Sequence, residues 1–391
     1  TGRGSDVRHQ GGGAATRGAA HSPGFGKAME AIRGAEPIRL HVPEIGKEVQ
    51  RVELESGITV FVKEDHSAPT VEMSLAWLGG SNTTPVEQLA PFELASSLLD
   101  EGGTERLSPT ELQARKDELG MSFGVWIGST MSGGRFWSLR RNFEESFDLA
   151  LEILMRPRLD AERLETLKGQ YIEAMRRRDQ RPGTAAAVLL NHVIFKDHAR
   201  LGYVAQRKEI EAITPAQVRA IWERYLGRDN LYITVVGDFD AAAMVRRIEK
   251  GFGSWRAARD KTRKYITHEP FLRPGAYLVE QDLPQPAIRL SHQIGVDRTA
   301  PTEDHAALEI LNDILGGSGF RSRLMERLRS DEGLTYGIYS SVSHQGRPGV
   351  PGVMRIAYQT NKDSVVHSID SVLEEVHKII AEEVSAAEVQ E

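Results

Sequence analysis

The sequence predicts an α+β protein of two homologous domains, each a mostly antiparallel sheet covered by helices, and three observations predict it. Short alternating runs bounded by Gly, Pro or Ser are interspersed with longer stretches of helical period. The order of elements then restarts after about residue 274. Finally, Gly120-Met-Ser-Phe-Gly-Val-Trp126 and Gly333-Leu-Thr-Tyr-Gly-Ile-Tyr339 match in size and polarity at every position, each following a helix and opening a strand. Repetition at so long a period means two similar domains rather than a solenoid of short units.

Taken in order, residues 1–40 read as a flexible N-terminal arm, because the first 28 are rich in Gly, Ala and Ser and have no apolar period. The first domain is expected over 45–255. VELESGITVFVKED, from Val52, is a hairpin about Ser56-Gly57, and VEMSLAWL at 71–78 is a third strand. Helices are expected at about 86–100 and 109–119, strands at about 121–130 and 134–140, and amphipathic helices from Asn142 through Arg178. LYITVVGDFD at 231–240 has the continuous apolar run of a central strand buried on both sides. Charged, proline-punctuated residues 256–273 form the linker. The second domain, 274–391, repeats the pattern: strands at AYLVEQ and AIRLSHQIGV, helices at about 302–315 and 321–330, two strands, and a helix from about 362. Counterparts of 170–251 are missing from this copy, so it reads as truncated and the natural chain is expected to continue past Glu391. A start at Thr1 reads as processing or a fragment.

Composition narrows the chemistry. A length of 391 residues with 40% hydrophobic and 27% charged residues excludes general disorder. Forty-nine Lys plus Arg against 55 Asp plus Glu give a net charge of −6, which offers no basic surface for nucleic acid. No apolar run approaches the roughly 20 residues that cross a bilayer, so no membrane span is expected. With no cysteine, disulfides, thiol catalysis and cysteine–zinc sites are excluded, and any metal must use His and carboxylates.

The most specific passage runs from Leu315 to Gly337: a helix, Leu315-Gly-Gly, Ser322-Arg-Leu, a further helix ending at Arg329, and Gly333-Leu-Thr-Tyr-Gly337. It resembles the second domain of the pitrilysin/insulysin-type zinc peptidases, the inverzincins. The first domain agrees in its Gly79-Gly-Ser81, Gly103-Thr104 and Val235-Val-Gly-Asp238, so the resemblance covers about residues 50–391. Catalytic members carry H-x-x-E-H on the first domain's first long helix, where i, i+3 and i+4 share one face and two His hold zinc while the Glu activates water. Counting back from Gly103-Thr104, those five positions fall on Leu94-Ala95-Ser96-Ser97-Leu98, and a slip of a few residues in either direction still finds no His. The degenerate motif positions are thus Leu94, Ser97 and Leu98. The family's downstream glutamate ligand would fall near Glu173, which alone cannot hold zinc and reads as a solvated helix residue.

What survives is Arg329 and Tyr336. An Arg and a Tyr seven residues apart reach the substrate carbonyl beside the zinc in the family, and the resemblance implies that role here, a cation and a phenol aimed at developing negative charge. The first-domain copy has Lys116 and Phe123 in their places. Some family members divide the work between two chains, and this one resembles the chain without zinc. The resemblance therefore implies a non-catalytic subunit of a heterodimeric zinc peptidase, with no cofactor of its own, zinc in a homologous H-x-x-E-H partner, and an extended peptide as substrate. The alternative is a structural or peptide-binding scaffold subunit without a part in proteolysis. The expected compartment is the periplasm, the alternative the cytoplasm.

Three other features read as structural. His367, Asp370, Glu374 and His377 share a helical face opposite an apolar stripe of Val365, Val366, Ile369, Val372, Leu373 and Val376, and are solvated rather than metal ligands. Arg176, Arg177, Arg178 and Arg181 form a solvated basic helix end. Gly316-Gly-Ser-Gly319 lacks G-x-G-x-x-G spacing and follows a helix, so it turns the chain between helices rather than holding a dinucleotide.

Overall fold

The computed structural model describes residues 42–195, 202–259, 274–280, 284–294, 303–343 and 352–390, together with Lys27. The expected arm lies almost wholly outside these residues, as do linker residues 260–273. Among the described residues no helix is long and apolar enough to cross a membrane.

Six strands build the first sheet: β1 (Gln50–Glu53), β2 (Thr59–Glu64), β3 (Thr70–Leu78), β4 (Ser122–Ile127), β5 (Met131–Leu139) and β6 (Leu231–Gly237), in the order β1-β2-β6-β3-β5-β4. Only β2 and β6 run parallel. Among the described residues the α-helices of this part are α1 (Phe92–Glu101), α2 (Pro109–Leu119), α3 (Phe143–Met155), α4 (Ala161–Asp179), α5 (Pro182–Ile194), α6 (Arg207–Glu211), α7 (Pro215–Tyr225) and α8 (Ala241–Phe252). Ser108 with Glu111 and Thr214 with Gln217 form capping boxes that start α2 and α7, each with Pro at the first turn. The strand β6 is central, as its apolar run predicts, but burial alternates along it: Leu231, Ile233 and Val235 are buried and Thr234 is exposed. The reason is architectural. Helices cover one face of the sheet, where Phe136, Phe143, Phe147 and Phe252 pack ring against ring, and the other face is open.

The second sheet is antiparallel, β7 (Ala287–Ile294), β8 (Ile338–Ser343) and β9 (Gly352–Gln359), in the order β7-β9-β8. These three repeat β3, β4 and β5 in sequence and pairing order. Helix α9 (Glu303–Asn312) continues as a π-helix over Asp313–Gly317, α10 (Arg323–Met325) continues as one over Glu326–Asp331, and α11 (Val365–Ala381) and α12 (Ala386–Gln390) follow. Leu315, Leu324, Leu328, Ile338, Tyr358 and Val372 form the core beneath one face of the sheet. Gly316 belongs to the π-helical end, not to a turn: a Cβ there would lie 2.8 Å from the Ser340 amide nitrogen, so only glycine lets the helix rest on β8. The turn falls at Gly319, with φ of 78°.

Two expectations change here. Ala276–Glu280 form no strand, and Tyr277, Leu278 and Val279 are exposed. Their equivalents in β2 are held by β6, and no such strand lies on the outer edge of β7 among the described residues. On α11 the buried positions are Ser368, Ser371, Val372, Glu375 and Ile379, while Val366, Leu373 and Ile380 are exposed. In the first part, α8 covers the matching helix α3 through Phe252 against Phe147 and Arg247 to Glu144 and Asp148. The two parts also meet. Helix α5 lies on the open face of the second sheet: Gln293 Nε2 donates to Ile194 O (3.3 Å), Arg355 Nη2 to Asn191 Oδ1 (3.0 Å), and Ile194 and Phe195 pack on Val353.

Candidate functional site

The π-helical end of α10 carries two arginines two residues apart with different surroundings. Arg327 is fixed by three carboxylates: Nε donates to Glu332 Oε1 (2.9 Å), Nη1 to Glu375 Oε1 (2.7 Å), and Nη2 to Glu374. These hydrogen bonds drive its pKa further up and tie the 326–334 turn to α11. Arg329, half-buried, makes no ion pair among the described residues. Its guanidinium carbon lies 4.6 Å from the ring centre of Phe320 and 5.0 Å from that of Tyr336. Such cation–π contacts stabilise by about 0.5–1 kcal/mol each at exposed sites, enough to orient the side chain without neutralising it. Tyr336 is 89% exposed and Phe320 72%. The structure therefore brings Arg329 and Tyr336 into contact, with the guanidinium between two aromatic rings.

The first-domain equivalents are arranged otherwise. Lys116 is buried, and its Nζ donates to Asp100 Oδ1 (2.8 Å) and to Phe123 O (3.1 Å). Phe123 is 4% exposed, in the main core.

On α1, Leu94, Ala95 and Leu98 belong to that core. Leu94 and Leu98 therefore do not mark the open face, and the register needs a correction of one residue. The helix positions outside the core at i, i+3 and i+4 are Glu93, Ser96 and Ser97, of which Ser97 alone was expected on that face. Ser96 Oγ accepts from Ile127 N (3.0 Å), and Tyr171 Oη donates to Glu93 Oε2 (2.8 Å). Glu173 is exposed and pairs with Arg176 (3.1 Å). One carboxylate and two hydroxyls do not fit zinc, which takes His and carboxylate ligands when cysteine is absent. Among the described residues no three His, Asp or Glu gather as metal ligands. His367 lies 3.5 Å from Glu332, and Glu374 pairs with Arg327, so the polar face of α11 serves the Arg327 ion-pair cluster.

Beside Tyr336 opens a cleft of about 1050 Å³ between the start of α5 and the open face of the second sheet. Arg181, Arg289, Thr335, Tyr336, Tyr339 and Thr360 are among its walls. Arg181, read from sequence as part of a solvated basic end, and Arg289 and Phe320, which no motif singles out, are the residues the sequence does not pick. Their common signal is weak: a cation on the polar side of a strand's alternation, and an aromatic in a Gly- and Ser-rich turn.

Residues 212–391 match the family described as Peptidase M16 inactive domain. Over this stretch the chain is similar to the pitrilysin-type peptidases. It is similar to an uncharacterized zinc protease of Streptomyces coelicolor, 23% identical over 328 residues covering 82% of this chain and 69% of that one. A Mycobacterium tuberculosis zinc protease, also uncharacterized, is 25% identical over 233 residues, 59% of this chain and 52% of its own. The chain thus aligns with about half the length of the mycobacterial relative. A Pseudomonas fluorescens structure described as a peptidase M16 inactive domain superposes with a TM-score of 0.72 at 25% identity, covering 87% of this chain and 81% of that chain. The α+β pitrilysin-type fold follows. The sequence carries no H-x-x-E-H, and the stretch 212–391 matches a domain described as inactive.

Proposed function

We propose that this chain is the non-catalytic subunit of a heterodimeric zinc peptidase, completing a peptide-binding chamber and presenting Arg329 and Tyr336 to the active site of a homologous H-x-x-E-H subunit. One observation carries the reading: Arg329 is held between Phe320 and Tyr336 with no carboxylate partner among the described residues. A cation and a phenol so placed are available to an oxygen on which negative charge develops, and a fixed donor of this kind typically contributes about 2.7–4 kcal/mol to catalysis. Zinc, in this proposal, is held by the partner and supplies the hydrolytic water. The cleft beside Tyr336 has room for an extended peptide, which in this proposal pairs its backbone with a strand edge. The scaffold reading differs in one respect, since it requires nothing of Arg329 or Tyr336.

The test is reconstitution. Alone, the chain is expected to bind no stoichiometric zinc and to cleave nothing; with the matching H-x-x-E-H chain, peptide hydrolysis appears. Arg329→Ala or Tyr336→Phe should lower turnover about 10²-fold while leaving the pair assembled. Normal turnover in both variants would remove their assigned role and favour the scaffold. A periplasmic location is part of the proposal and is checked by cell fractionation.

A further inference from the structure

The cleft beside Tyr336 carries a charge pattern that binding a substrate carbonyl does not use. Among the described residues that line it there is no Asp or Glu, whereas Arg181 and Arg289 are there. Arg181 is exposed at the residue before α5. Arg289 rises from the polar face of β7, half-buried, and its donors meet only neutral oxygens: Nη2 to Gly183 O (3.0 Å) and Nη1 to Ile288 O (3.0 Å). Burial pushes its pKa down with no neighbouring carboxylate to offset the shift. A Cβ at Gly183 would lie 2.9 Å from Arg289 Nη2, so a larger residue there would shift the guanidinium.

A second guanidinium repeats the pattern on the same sheet face. Arg355, opposite Ser291 on β7, donates to Ser343 Oγ (3.0 Å) and Asn191 Oδ1 (3.0 Å), and burial lowers its pKa too. The first turn of α5 adds the positive end of its dipole, with no acidic residue and no side-chain cap. Elsewhere the chain pairs its arginines readily, as at Arg323, Arg327 and Arg247. Partly desolvated cations left without a counter-charge carry a free-energy cost that an incoming anion relieves. The guanidinium fork matches a carboxylate in two parallel hydrogen bonds.

We propose that this cleft is a carboxylate-recognition site for an extended peptide, with Arg181 and Arg289 binding the anion and Tyr336 and Tyr339 walling the neighbouring side chain. It rests on the chamber reading above only in taking the occupant to be a peptide. The carboxylate is either an internal Glu or Asp side chain or a free C-terminus, and the experiment separates the two.

Labelled peptides of one sequence are titrated against the 391-residue chain without any partner. The three forms are Glu-containing with an amidated C-terminus, its Gln counterpart amidated, and the Gln form with a free C-terminal carboxylate. One of the two anionic forms is expected to bind about tenfold more tightly than the neutral form, an advantage that falls with added salt. Which of them does so identifies the source. Arg289→Gln and Arg181→Gln should each erase the advantage, and the exposed Arg181 provides the test should the half-buried Arg289 variant fold poorly. Equal binding of all three forms overturns the proposal, as does a preference that survives both substitutions, or a single-stranded oligonucleotide that outcompetes the Glu peptide. Because binding is read on this chain alone, failure to stimulate a partner leaves the result standing, and loss of the preference leaves the Arg329–Tyr336 role untouched.

Discussion

Lys116 with Phe123 and Arg329 with Tyr336 occupy the same places in two copies of one domain, yet they have opposite fates. In the first copy the cation is buried against Asp100 and a backbone carbonyl, and the aromatic ring fills the core. In the second the cation lies between two exposed rings and the phenol faces a cleft. Spacing alone is therefore not a functional signal. What separates the pairs is whether the surroundings have already satisfied the charge. Within α10 the same distinction recurs over two residues, since Arg327 is held by Glu332, Glu374 and Glu375 while Arg329 is held by rings alone.

That contrast can be broken by experiment. Phe123→Ala should destabilise the chain by about 3–5 kcal/mol, the cost of emptying a core aromatic site, whereas Tyr336→Ala should cost no more than about 1 kcal/mol, its one cation–π contact, in denaturant unfolding. A comparable loss from Tyr336→Ala would mean that the phenol is structural. In the reconstituted enzyme the order reverses: Arg329→Ala should cost about 10²-fold in turnover through lost transition-state stabilisation, with a stability loss of no more than about 2 kcal/mol from its two cation–π contacts. Lys116→Ala should lower stability by about 1–3 kcal/mol, because it strands the Phe123 carbonyl and one side of Asp100.

The smallest expected effect concerns an arginine already committed to a carboxylate. Glu388 is held down to about 2 by Arg323 and by the Ser385 amide and hydroxyl. A depressed carboxyl stabilises the folded chain fully above its unfolded value near 4.3 and loses that contribution as pH falls through about 2. Thermal unfolding of the parent chain and of Glu388→Gln should therefore differ above pH 5 and converge as pH approaches 2. No matching pH dependence is expected from Arg329→Ala, which removes no carboxylate pair.

Much of the fold is legible in the sequence because it rests on local periodicity. The hairpin at Gly57, the helix over 109–119 and the strand pairs of both sheets follow from alternation, capping residues and turn glycines. Less legible are features set by neighbours far along the chain. Leu94 and Leu98 occupy the motif's positions by counting from Gly103-Thr104, but the choice of buried face is made by the sheet beneath, and the open positions are Glu93, Ser96 and Ser97. Likewise the apolar residues of α11 suggest one buried stripe, while the structure leaves Val366, Leu373 and Ile380 exposed.

The amino-acid sequence by itself determines the duplicated α+β plan, the lack of a histidine pair on α1, and the seven-residue interval between Arg329 and Tyr336, since these depend only on residue type and spacing. The tertiary structure alone decides which charges are satisfied. Residues scattered between Arg181 and Asn361 become the walls of one cleft, and whether a guanidinium meets a carboxylate, a carbonyl or a ring depends on where distant backbone brings those groups. Coulomb and desolvation energies vary steeply over a few ångströms, and one-dimensional spacing does not encode such distances.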